Sequence, residues 1–80
     1  MTTQSLNEFL RKMPDPEMRD TFLAYLESLL PHVNVLDGKT KVEGPITRGD
    51  TFYFNVTRTH WSTQIGWDVS GQQWNSKLSP

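Results

Sequence analysis

The chain has 80 residues, a formal net charge of −1 and no cysteine. That length supports a single domain over residues 1–80, one that buries only about 60% of the surface its unfolded form exposes. Without cysteine there are no disulfides, zinc–thiolate sites or thiol catalysis, and a charge near zero gives no global field to attract nucleic acid or an anionic membrane.

The N-terminal MTTQSLNEFLRKM shows no basic segment followed by an apolar one, so no signal peptide is expected. No apolar run approaches the roughly 18 residues of a membrane span. The expectation is a cytoplasmic protein with no membrane association.

Leu6, Phe9, Leu10 and Met13 stand at i, i+3, i+4 and i+7. That spacing predicts a helix over about 5–13 with one apolar stripe. Ser5 and Glu8 fit a capping box, and Pro14 ends the helix. Asp15-Pro16 then opens a second helix, with aspartate as N-cap and proline where a missing N–H costs nothing. This helix should run over about 16–30 and stop at Pro31. Its apolar arc, from Met18 through Phe22, Leu23 and Leu26 to Leu30, is wide enough to touch both the first helix and a sheet. Arg19 falls inside the arc. Arg19 and Leu23 are therefore candidate edges of a partner site.

After Pro31 the period changes to two. Strands are expected over about 32–36 and 39–43, joined at Asp37-Gly38, a strong two-residue turn signal. Gly44-Pro45 should break the second of them. Thr51 to Val69 carries the longest alternation in the chain: Phe52, Phe54 and Val56, then Trp61, Thr63, Ile65, Trp67 and Val69. It predicts a hairpin with strands over about 51–57 and 61–69, turning at Arg58-Thr59. In that register Tyr53 and Gln64 are direct cross-strand neighbours. A short edge strand over 72–78, through Trp74, would be the fifth. The fold class is α+β: an N-terminal helical pair packed on one face of a four- to five-stranded antiparallel meander. Phe22, Leu26, Phe52, Phe54, Trp61 and Ile65 form the expected core.

Catalytic chemistry is thin. His32 and His60 have no spaced carboxylate or second histidine of metal-site type. No glycine-rich phosphate loop occurs, and no serine or threonine has a recognisable partner base. No cofactor, metal or catalytic residue is expected. Arg48-Gly49-Asp50 reads as turn chemistry before a strand. Asn55-Val56-Thr57 matches a glycosylation sequon but lies inside an expected strand. Trp67-Asp68-Val69-Ser70-Gly71-Gln72-Gln73-Trp74 resembles the aromatic-Asp-x-x-Gly-x-x-Trp run near the end of the frataxin sheet. The likeness covers eight residues. The acidic helical surface and the C-terminal helix of frataxins have no counterpart in the sequence, so the run is read as a generic hairpin.

The sheet face turned from the helices is rich in neutral polar residues. Tyr53, Asn55 and Gln64 give it the amide and tyrosine character of adaptable recognition surfaces. Trp74 is a second anchor candidate at the edge. The reading that follows is a small non-catalytic protein-binding module, an inhibitor, adaptor or accessory protein of the kind phages also encode. It would act through the open sheet face on another protein. The alternative is single-stranded nucleic-acid binding by that face, with aromatic stacking beside Lys39, Lys41 and Arg58; the near-neutral charge weighs against it.

Overall fold

The computed structural model describes residues 2–76. Short strand β1 (Thr2–Ser5) leads into helix α1 (Leu6–Lys12), and Ser5 serves both elements. Its hydroxyl accepts the N–H of Glu8 at 3.2 Å, the capping bond expected of it. Glu8 turns instead to Arg11 and Lys12 on the next turn. Helix α2 (Pro16–Leu29) is capped by Asp15, whose Oδ1 accepts the N–H groups of Glu17 at 3.0 Å and Met18 at 3.5 Å.

Four further strands follow: β2 (Lys41–Arg48), β3 (Thr51–Arg58), β4 (Trp61–Asp68) and β5 (Gln73–Ser76). All neighbours are antiparallel, in the order β1-β2-β3-β4-β5. The fold is α+β, with two helices near the N-terminus and a five-stranded antiparallel sheet.

The core lies between the helices and the sheet. Phe22 and Leu26 of α2 and Leu6, Phe9 and Leu10 of α1 meet Val42, Phe54, Val56 and Ile65 of the sheet. Phe9 stacks edge-on against Phe54 with ring centroids 4.9 Å apart and tilts against Phe22 at 5.1 Å. Such aromatic pairs add to what area burial alone provides.

Several sequence expectations are corrected. Residues 32–36 do not form a strand; the segment between α2 and β2 is a series of turns. Asn34 Oδ1 accepts the N–H of Leu36 at 3.2 Å, and Asp37 Oδ1 accepts that of Lys39 at 3.0 Å. These side chains satisfy backbone groups that a ladder would have used. Val35, 1% exposed, plugs into the core from this loop. Gly38 has φ +87° as expected of it, but no hairpin surrounds it.

The segment expected at 39–43 finds its partners elsewhere. It runs on as β2 to Arg48 and pairs with β1 on one side and β3 on the other. Gly44-Pro45 does not end it. The register shifts between Glu43 and Ile46, and the strand crosses the irregularity with Gly44 at φ +134° and a cis peptide before Pro45. A bulge of this kind absorbs residues without ending the pairing.

The third correction is register. β3 and β4 turn at Thr59-His60, so Phe54 faces Ile65, Val56 faces Thr63 and Arg58 faces Trp61. The shift from the expected pairing is two residues, so every side chain stays on its expected face. Tyr53 therefore faces Gly66, and Gln64 faces Asn55. The fourth is the core list. Phe52 is 39% exposed, and Trp61 is only partly buried at the margin of the core. β5 ends at Ser76; the 77–78 end of the expected edge strand lies outside the described residues.

Candidate functional site

Of the six candidate residues, the structure brings together two, Asn55 and Gln64. Gln64 Nε2 donates to Asn55 Oδ1 at 3.3 Å, and Asn55 Nδ2 donates to Glu43 Oε1 at 3.3 Å. Thr3 Oγ1 donates to Glu43 Oε2 at 3.2 Å and completes a polar ladder across four strands. These amides are thus engaged with one another on the outer face. Tyr53 stands beside the ladder. A Cβ placed on Gly66 would lie 3.0 Å from its Cδ1 and Cε1, so the ring lies over the glycine and buries it.

Trp74 is on the opposite face. It stands half-buried against Phe22, with centroids 5.0 Å apart, and its indole N–H donates to Thr21 Oγ1 at 3.0 Å. Arg19 is half-buried, with Nε 3.3 Å from Asp20 Oδ1. Leu23 packs against the core margin. Neither reaches the polar ladder's face, because α2 lies on the other side of the sheet.

A different cluster emerges on the helix side. Thr47, Phe52, Trp67 and Trp74 are register partners across β2, β3, β4 and β5. Their parity is that of Phe54 and Ile65, so they point to the helices' side. Yet they lie where the helical cover runs out. The start of α2 reaches Trp74 but leaves this end of the face only partly covered. There Phe52 is 39% and Val69 46% exposed, and the Trp67 and Trp74 rings meet at 4.8 Å with a 57° tilt.

Beside the two tryptophans is a hollow of about 350 Å³. Asp15, Glu17, Met18 and Thr21 at the start of α2 form one wall, and Gln72 and Gln73 at the start of β5 form part of the other. A second hollow of about 270 Å³, largely apolar, lies between Phe9, Met13, Pro45 and Phe54. Met18 lines both. Sequence reasoning assigned Trp67 only to the alternation and Phe52 to the core. Nothing in the sequence marks where the helices stop covering the strands.

The turn between β4 and β5 shapes the rim. Asp68 Oδ1 accepts the N–H of Ser70 at 3.0 Å, the hydroxyl of Ser70 at 2.7 Å and the N–H of Gly71 at 3.3 Å. These bonds, the Ser70 hydroxyl foremost, hold the Asp68 carboxyl below the usual carboxylate range. Arg48-Gly49-Asp50 lies exposed at the β2–β3 turn. Among the described residues no three His, Asp or Glu side chains gather as a metal ion would require. No helix among them is long and apolar enough to cross a membrane. No protein-family description, curated protein or solved structure matches this chain.

Proposed function

We propose that this protein is a binding module for another protein, without turnover, and that its contact surface is the aromatic end of the helix-side sheet face. One observation carries the reading: Phe52, Trp67 and Trp74 form a row across three adjacent strands, in register and only partly covered. Partly exposed aromatic side chains held on rigid strands are what binding hot spots are made of. The outer face is the weaker choice, because its amides already satisfy one another along the Thr3–Glu43–Asn55–Gln64 ladder. An inhibitor, adaptor or accessory role would each use such a surface.

The rim favours a protein partner over nucleic acid. Asp15 and Glu17 line the hollow next to the tryptophans, and no Lys or Arg among the described residues does. Bases stacking on those rings would bring phosphates toward two carboxylates, against the charge neutralisation that nucleic-acid affinity depends on. A protein partner carries no such penalty.

The test begins with recovery of a partner from the native host on the immobilised chain. Its affinity is then measured by calorimetry for the parent, Phe52→Ser and Lys41→Ala. Phe52→Ser should weaken binding at least about fivefold, on the order of 1 kcal/mol, with little loss of melting temperature. Lys41→Ala, on a different part of the sheet, should leave it unchanged. Equal affinities for parent and Phe52→Ser would place the contact elsewhere.

A further inference from the structure

We infer that the hollow beside Trp67 and Trp74 receives an arginine side chain of the partner, an inference that rests on the aromatic end being the contact surface. The walls of the hollow select its ligand by what they offer and what they withhold.

They offer π surface and acceptors. Trp74 spends its N–H on Thr21, so what it presents to a ligand is ring. Trp67 leans against it at 4.8 Å. Asp15 and Glu17 stand across the same hollow, and among the described residues neither takes part in an ion pair.

The wall made by the first turn of α2 withholds donors. A helix N-terminus ordinarily attracts anions through free N–H groups. Here Pro16 has none, and those of Glu17 and Met18 already bond Asp15 Oδ1. The N–H of Arg19 goes to Asp15 O at 3.0 Å. The Thr21 hydroxyl donates to Met18 O at 3.0 Å. An anion would find no free backbone donor in the first turn of α2, and two carboxylates opposing it. A cation faces the opposite balance. The helix end contributes roughly half a positive charge, which two carboxylates outweigh.

The shape of the walls selects among cations. A guanidinium is flat, weakly hydrated and rich in donors, so it stacks on an indole face while its edge reaches carboxylate oxygens. An ammonium is a compact, strongly hydrated point charge and gains less from a half-open, ring-walled hollow.

The 80-residue chain, labelled with ¹⁵N, is titrated with N-acetyl-arginine amide, and the indole N–H signals of Trp67 and Trp74 are followed. N-acetyl-citrulline amide, neutral and of nearly the same shape, and N-acetyl-lysine amide are titrated in parallel. A single side chain should bind in the millimolar range. The arginine probe should give saturable shifts at both indoles, with at least about fivefold tighter binding than the citrulline or lysine probe. Glu17→Gln, an exposed change whose spectrum reports its own folding, should weaken the arginine probe several-fold. Equal binding of arginine and citrulline, or no effect of Glu17→Gln, overturns the cation site. Equal binding of arginine and lysine overturns the assignment to arginine. The contact-surface reading fails separately: arginine binding intact while Phe52→Ser leaves partner affinity unchanged removes that reading. Phe52→Ser losing the partner with no response to arginine removes this inference instead.

Discussion

Arg58 closes on Asp37 with both arms of its guanidinium, Nη1 to Oδ1 at 2.6 Å and Nη2 to Oδ2 at 2.5 Å. Nη1 also donates to Thr40 Oγ1 at 3.2 Å. The pair ties the turn-rich segment before β2 to the end of β3. Forked Arg–carboxylate bonds are among the stronger polar contacts because two bonds share one fixed geometry. It also explains why Arg58 stays in the ladder opposite Trp61 while Thr59 and His60 make the turn.

The pH dependence follows from that contact. The Arg58 hydrogen bonds, then the N–H of Lys39, hold the Asp37 carboxyl far below its ordinary 3.8. A carboxyl depressed in the folded state contributes its stability above the unfolded value and loses it as pH falls toward the folded one. Asp37→Asn cannot lose that contribution with pH. Urea unfolding of both proteins from pH 7 to pH 2 should show a constant parental advantage down to about pH 4 that shrinks below it. Parallel acid limbs would mean that the contact does not persist in solution.

Phe54 and Phe52 share a face of β3 but not an environment. Phe54 packs edge-on against Phe9 at 4.9 Å and Phe22 at 6.2 Å, whereas Phe52 is largely open to solvent. Phe54→Ala should cost about 3–5 kcal/mol, a large part of the roughly 5–10 kcal/mol typical of a small domain. Phe52→Ala should cost no more than about 1 kcal/mol. Chemical denaturation of the two variants side by side measures the difference. Similar costs would place both rings in one core.

The contrast between those two residues marks how far the sequence could be read. Period two assigns a face, and the paired residues of the second hairpin lie on the face their parity gave, although β4 ends at Asp68 and leaves Val69 in the turn. Parity is blind to where the opposing layer stops, so it placed Phe52 inside. It is also blind to a two-residue slip, which changes partners and leaves faces alone; hence Tyr53 lost Gln64 and gained Gly66. The helix caps were legible because Ser5 and Asp15 act within three residues of themselves. β1 was not, because Thr2–Ser5 has no apolar alternation and exists through pairing with β2. The 32–36 segment alternates like a strand, but Asn34 satisfies the Leu36 N–H within it, and Asp37 does the same for Lys39 just beyond. Of the site, Trp74 was legible from residue type alone. Trp67 and Glu17 required the three-dimensional juxtaposition of β4 with the first turn of α2.

Tyr53 has a structural task that its place on the outer face concealed. Its ring covers Gly66, which has no side chain of its own to shield the backbone there. Cross-strand pairs of this kind contribute up to about 1 kcal/mol. Tyr53→Ala should lower the melting temperature by about 4–8 °C, the shift that 1 kcal/mol produces in a domain of this length. Partner affinity should be unchanged once the folded fraction is corrected for. A melting temperature equal to the parent's, with weaker partner binding, would return the contact surface to the outer face.

Gly44 and Gly38 separate two reasons for a glycine. Both have positive φ, +134° and +87°. An added Cβ at Gly38 would meet nothing within 4 Å, so Gly38→Ala incurs the conformational penalty alone, about 1–2 kcal/mol. At Gly44 the same Cβ would lie 2.9 Å from the backbone oxygen of Tyr53 and 3.3 Å from Phe54 Cδ1. That oxygen belongs to the central strand pair and cannot withdraw without disturbing the ladder between β2 and β3. The backbone strain of about 1–3 kcal/mol is therefore joined by a steric displacement, and Phe54 transmits it to the core. Gly44→Ala should be the more destabilising of the two by more than about 1 kcal/mol. Amide exchange should accelerate most at Glu43 and Ile46, where the register shifts. Equal losses from the two substitutions would show that β2 yields at its bulge, and that the close approach to Tyr53 is not what requires the glycine.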